Sequence, residues 1–155
     1  MADSDREAFR SVAVELQILE GTAETLQSRL SFVNAALTEL NIARMTLEGV
    51  EKEAPDAPLF MPIGGGSFIK AKLDSNDKVI VGAGAGVSIE RPVAEAKETL
   101  KNRVVELEKA RASIQQQLMQ IVTKIQEDRE RLQDLSARVS QAGRRSGVSE
   151  AQGGP

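Results

Sequence analysis

The sequence predicts a mostly helical α+β fold: a long antiparallel coiled-coil hairpin with two β-hairpins inserted between its helices, the strands forming an oligomeric β-barrel platform. Three observations carry this. Both ends of the 155-residue chain repeat apolar residues at alternating spacings of three and four, the coiled-coil period. Between them, from Pro55 to Pro92, short β-branched runs alternate with glycine and Asx clusters, the pattern of paired strands and tight turns. Only 3% of residues are aromatic, with no Trp or Tyr, which is sparse for a compact globule but sufficient for an elongated helical chain.

The whole chain, 1–155, reads as a single domain, with its first helix at 4–50. Ser4-Asp5-Arg6-Glu7 matches a capping box, and early acids suit the positive end of the helix dipole. One set of seam positions holds Phe9, Leu16, Ala23, Leu30, Leu37 and Arg44; the alternating set holds Val12, Leu19, Leu26, Val33, Leu40 and Leu47. The stem of Arg44 can lie along the apolar stripe while its head reaches water. Gly21 falls on the outer face, where it costs about 1 kcal/mol of helix propensity but no packing. Phe32 and Ile42 lie off the seam and read as scattered surface residues, because one pair makes no stripe.

The strand block spans 55–91. Its expected strands are Leu59 to Pro62, Ser67 to Leu73, Lys78 to Gly82 and Val87 to Glu90. In the second, Ile69, Ala71 and Leu73 alternate with Phe68, Lys70 and Lys72, so one face is expected to be buried. Gly64-Gly65-Gly66 and the Gly82/Gly84/Gly86 cluster supply turns that need positive φ. Two small hairpins bury little and expose strand edges that template pairing with other chains. Closure into a barrel with further subunits removes those edges.

The second helix is expected over 92–142, with Pro92 in its first turn, where the missing amide hydrogen costs nothing. Its seam runs Val93, Lys97, Leu100, Val104, Leu107, Arg111, Ile114, Leu118, Ile121, Ile125, Asp128, Leu132, Leu135, Val139 and Ala142. Arg111 and Asp128 are polar intrusions of the kind that fix register at a cost in stability. Gly143 is placed for a C-cap, with Arg144 and Arg145 suited to the helix end. The small, polar segment that follows predicts a disordered tail at 143–155. At about 1.5 Å per residue each arm is roughly 60–75 Å long. Folding the two seams against each other buries both without a partner.

Composition excludes several functions. With no Cys there is no disulfide or thiolate nucleophile, and with no His the commonest general base and zinc ligand are missing. No catalytic residue, metal ligand or cofactor is therefore expected, and the chain is not read as an enzyme. A net charge of −3, with 20 basic and 23 acidic residues interspersed, gives no nucleic-acid footprint. The acidic N-terminus lacks the apolar run of a signal peptide. Val79 to Val87, a stretch free of polar side chains, is too short and glycine-rich for a membrane span, and a cytoplasmic location is expected. Gly82-Ala83-Gly84-Ala85-Gly86 is no dinucleotide loop, since Val87 replaces the third glycine and a strand follows. Gly64-Gly65-Gly66-Ser67 lacks the Gly-Lys-Ser/Thr element of a phosphate loop.

Within the block, Pro62-Ile63-Gly64-Gly65-Gly66-Ser67-Phe68-Ile69-Lys70-Ala71 and Asp77-Lys78-Val79-Ile80-Val81-Gly82-Ala83-Gly84-Ala85-Gly86-Val87 resemble the double hairpin of archaeal prefoldin alpha subunits. The order helix, two hairpins, helix covers nearly the whole chain outside the tail. The resemblance implies a hexamer of two alpha and four beta subunits, with hairpins forming a double β-barrel body and six coiled coils hanging from it. It implies an ATP-independent chaperone that holds non-native proteins at the coiled-coil tips and passes them to a group II chaperonin. Client-binding residues at the tips would be Phe9, Val12 and Leu16 facing Leu132, Leu135, Val139 and Ala142. Oligomerisation would use Phe60, Ile63, Phe68, Ile69, Val79, Ile80, Val81, Val87 and Ile89. The family's chaperonin contacts lie largely on beta-subunit tips, so no residue here is assigned to them. A fully buried seam residue contributes about 1.5–3 kcal/mol, and terminal turns bury less, so a frayed seam can exchange its partner helix for an unfolded chain. The alternative is a structural coiled-coil protein that assembles into a filament or scaffold.

Overall fold

A computed structural model describes residues 2–150. The order is helix α1 (Ala2–Glu51), strands β1 (Pro58–Gly64), β2 (Ser67–Lys72), β3 (Lys78–Gly84) and β4 (Val87–Pro92), and helix α2 (Val93–Glu150). The chain forms two long helices with two β-hairpins between them. It divides into two compact units: residues up to Phe32 with those from Arg111 onward, and residues 33–110.

In the first unit the helix seams meet through Val12, Ala23 and Leu26 of α1 and Ile125 and Leu135 of α2, all buried. Charged pairs flank this seam: Arg129 Nη2 lies 2.7 Å from Glu20 Oε1, and Lys124 Nζ lies 3.7 Å from Glu15 Oε1. In the second unit the core is Val33 and Leu37 of α1 with Val93, Ala96, Leu100 and Val104 of α2. Ala96 is fully buried, the one residue of this core that the heptad reading passed over. Every seam residue read from the spacing, Phe9 to Leu47 and Val93 to Ala142, is buried or half-buried.

Both helices are longer than expected. Ser4 lies inside α1, which starts at Ala2 with Asp3 and Asp5 in its first turn, so Ser4 does not cap it. Helix α2 continues through Gly143 to Glu150, so 143–150 is not the expected tail; residues 151–155 lie outside the described residues. Each added residue of a formed helix gains a hydrogen bond, which carries the helix past the roughly 1 kcal/mol cost of one glycine. Pro92 pairs with Lys78 at the end of β4 rather than opening α2. The helix starts one residue later, and the Val93 amide donates to the Asp77 carbonyl at 3.0 Å.

The face of α1 away from the seam was expected to carry only scattered apolar residues. Val14, Ile18, Phe32, Ile42 and Met45 are exposed there, and no other large exposed apolar residue lies between Ile18 and Phe32, so they stand as separate spots.

The two hairpins share one local design. Each is antiparallel, closes over two residues and carries a register shift just before the turn, at Ile63 in the first and Ala83 in the second. Gly65 and Gly66 turn with φ of +57° and +73°, and Ala85 and Gly86 with +50° and +75°. Positive φ at both central residues is the primed turn whose twist matches that of the strands. Gly82, expected both at the end of its strand and in the turn cluster, is a strand residue opposite Ser88, and Ala85 takes a left-handed position in the turn. The hairpins are not hydrogen-bonded to each other, so each remains a separate two-stranded sheet.

Candidate functional site

The strand block presents the first candidate surface. Cross-strand pairs Phe60–Lys70 and Pro62–Phe68 set Phe60 and Phe68 on one face of the first hairpin; Met61–Ile69 and Leu59–Ala71 occupy the other. Both faces are open: Phe60 is 68% exposed, and Met61, Ile63, Phe68 and Ile69 are exposed as well. The expected burial of the Ile69, Ala71, Leu73 face is only partly reached, because Ala71 and Leu73 are half-buried and Ile69 is exposed. A two-stranded sheet has too few neighbours to cover either face.

The base of this hairpin is fastened by backbone bonds. The Asp56 amide donates to the Leu73 carbonyl at 2.7 Å, and the Leu73 amide to the Ala57 carbonyl at 2.9 Å. Asn76 Nδ2 adds a bond to the Glu53 carbonyl at 2.7 Å. That clasp was not anticipated; its signal is an Asx-rich connection, Asp74 to Asp77, whose side chains compete for backbone groups.

The second hairpin lies against the helices. Val81, Ile89 and Arg91 face Glu95, Thr99 and Asn102 of α2 across a groove of about 360 Å³. Val79, Ile80 and Val81 of β3 line a second groove with Ala43, Thr46 and Leu47 of α1. The guanidinium of Arg103 donates to the Gly82 carbonyl, which ties β3 to α2. Val79 and Val81 are half-buried, while Ile80, Val87 and Ile89 are exposed, Ile80 by 77%. Of the nine residues expected to drive oligomerisation, seven are therefore open in the single chain and two are partly covered by its own helices.

The second candidate surface is the chain-terminal end of the first unit. Phe9, Leu16, Leu132, Val139 and Ala142 are half-buried. Val12 and Leu135 are 3% and 6% exposed, so the seam is closed over them. Two turns before Leu135 on α2, Asp128 is 1% exposed; its Oδ1 accepts from Lys124 Nζ at 2.8 Å. That bond, with the nearby Glu15 and Glu127 carboxylates, raises the Lys124 ammonium above its ordinary range against a smaller effect of burial. A Glu51 hydrogen bond does the same for Lys97, aided by Glu48.

No group of three or more His, Cys, Asp or Glu among the described residues is placed to hold a metal ion. No helix among them is long and apolar enough to cross a membrane. What the geometry offers is apolar surface on paired strands, open on both faces in the first hairpin and partly covered in the second, and a helix-pair seam in the first unit.

These features define a coiled-coil protein whose two long helices carry a pair of β-hairpins between them. A model of the prefoldin subunit family matches residues 19–138. The chain belongs to the prefoldin family, a family of non-enzymatic chaperones, and its relatives are archaeal alpha subunits. It is 31% identical to the prefoldin alpha subunit of Pyrococcus horikoshii over 90% of this chain and 95% of that one. It is 33% identical to that of Archaeoglobus fulgidus over 87% and 96%. For Methanopyrus kandleri the identity is 34% over 73% and 72%. A filamentous PFD from Methanocaldococcus jannaschii, solved by cryo-electron microscopy, has the same fold, with a TM-score of 0.64 at 20% identity over 72% of this chain and 93% of that one.

Proposed function

We propose that this chain is the alpha-type subunit of a cytoplasmic, ATP-independent holdase. In this reading two copies join four beta-type subunits through the hairpins, and the coiled-coil tips hold non-native proteins before delivery to a group II chaperonin. The observation that carries the assembly is the pair of two-stranded sheets with open apolar faces and unpaired edges. Exposed apolar area favours burial by about 25 cal/mol per Å², and unpaired strand edges accept further strands.

Client capture rests on the seam residues of the first unit. Phe9, Leu16, Leu132, Val139 and Ala142 are half-covered, which leaves apolar area to offer an unfolded chain. Nothing in this interaction requires bond chemistry, so nucleotide and cofactor have no part in it.

The test is suppression of aggregation. The complex isolated from its own cells is expected to contain two copies of this chain with four of a shorter coiled-coil partner by native mass spectrometry. It is expected to keep a denatured client protein in solution without nucleotide. No protection at stoichiometric excess removes the holdase reading. Polymerisation of this chain alone, without a beta-type partner, would instead establish the filament or scaffold role.

A further inference from the structure

Asp128 is the largest fully buried side chain among the described residues, and it is charged. It occupies a seam position of α2 between Ile125 and Leu132. Its Oδ1 is bonded to Lys124 Nζ at 2.8 Å, while its Oδ2 is buried with no hydrogen-bond partner among the described residues. Lys124 also lies 3.7 Å from Glu15 Oε1, which places the three groups at one level of the seam.

The balance at this level sets two partly exposed cross-helix ion pairs, Arg129 with Glu20 and Lys124 with Glu15, which contribute little, against one buried oxygen without a partner. A carboxylate removed from water needs good partners on both oxygens, and here one oxygen has none. Lys124 is 42% exposed, so the ammonium retains much of its hydration whether the helices are together or apart. Parting the helices at this point returns water to Oδ2 and leaves the Lys124–Asp128 bond intact, because both residues are on α2. The second unit has no buried charged side chain among its described residues.

From Asp128 toward the chain ends, the α2 seam holds Leu132, Leu135, Val139 and Ala142. From the Glu15 level, α1 holds Val12 and Phe9. Val12 and Leu135 are sealed while the helices are paired and can touch another protein only if they part.

We propose that Asp128 is a built-in opening point: it sets the inner limit of a segment, residues 2–16 with 128–150, that parts as a unit and exposes Val12 and Leu135 to a non-native chain. The client half of this proposal rests on the holdase reading above.

The experiment is hydrogen exchange on the assembled complex, comparing the natural chain with Asp128→Leu and Asp128→Asn. In the natural chain, amides of 9–16 and 128–139 are expected to exchange at least about tenfold faster than those of 96–104. Asp128→Leu is expected to slow the former by about tenfold or more, leave the latter unchanged, and lower protection of a client. Asp128→Asn should slow exchange by a smaller factor. Equal or faster exchange in both variants overturns the proposal and makes Asp128 a net stabilising register key. Should Asp128→Leu change the mass of the assembly, the Asn variant carries the comparison alone, and unslowed exchange in that variant overturns the proposal in the same way. A natural chain that protects no client removes the holdase reading while exchange still decides whether the segment opens. A Leu variant that exchanges slowly yet protects fully overturns the link between opening and capture.

Discussion

Lys97 Nζ lies 2.7 Å from Glu51 Oε2, a charge-assisted bond from the start of α2 to the last residue of α1. The Glu51 hydrogen bond, with the Glu48 charge, raises the Lys97 ammonium above its ordinary value of 10.5. A raised lysine contributes stability that is fully present below its unfolded value and lost as pH rises through the folded one. The contribution is therefore constant through neutral pH and disappears in the alkaline range above 10.5. Lys97→Met is expected to melt slightly lower than the natural protein at pH 7, with the difference shrinking in strongly alkaline solution and in high salt. Thermal melts followed by circular dichroism across that range measure it; a difference that persists unchanged at alkaline pH would assign the effect to packing of the lysine stem.

A charge placed on the strands tests the assembly surface. Ile69 is exposed on the first hairpin, and Val81 is half-buried on the second. Ile69→Asp and Val81→Asp are each expected to abolish assembly while leaving helicity largely intact, because the helix seams do not include them. Size-exclusion chromatography with light scattering reads the outcome, and a complex of unchanged mass would rule out the strand surface as the platform.

Shortening both helices should separate assembly from capture. Removal of the residues before Leu16 and after Leu132 takes away Phe9, Val12, Leu135, Val139 and Ala142 but leaves the strand block and the core of the second unit. The expected result is a complex of full stoichiometry that no longer keeps a client in solution. Client binding that survives the truncation would place the holding surface elsewhere.

The second turn carries a stress the first lacks. Ala85 sits at φ +50°, a left-handed conformation that costs an L-residue about 1–2 kcal/mol, whereas the first turn places Gly65 there. Ala85→Gly relieves that cost but adds freedom to the unfolded chain, so a net gain of up to about 1 kcal/mol is expected. Gly65→Val, which brings a β-branched residue into the same conformation, is expected to lose more than that. Denaturant midpoints of the assembled complex compare the two.

The helices were legible because the spacing of three and four repeats along both of them, and one misplaced residue does not change it. Their ends were not, since Ser4 and Gly143 both carry cap chemistry but lie within running helix. The strands were legible almost to their ends. Gly82 was read both as strand end and as turn glycine, and only the first holds, because glycine permits positive φ without requiring it. Phe32 and Ile42 were legible as isolated surface residues, because they fall off the seam and both are exposed. Asp128 was visible as a polar seam residue, but its unpartnered oxygen depends on where Lys124 points, and no spacing rule reports that.

The two units differ in how the chain supplies them. Residues 33–110 form one continuous segment, whereas the first unit joins residues up to Phe32 with those from Arg111 onward. During synthesis the continuous unit is complete once residue 110 has emerged, and its hairpins need only local contacts. The N-terminal stretch of α1 has no partner at that moment, because the half of α2 that covers it has yet to be made. Leu16, Leu19, Ala23 and Leu26 then stand uncovered on the ribosome for as long as translation of the last third takes, several seconds at about 5–20 residues per second. A chain of this design passes through an exposed condition of its own before its second helix is complete.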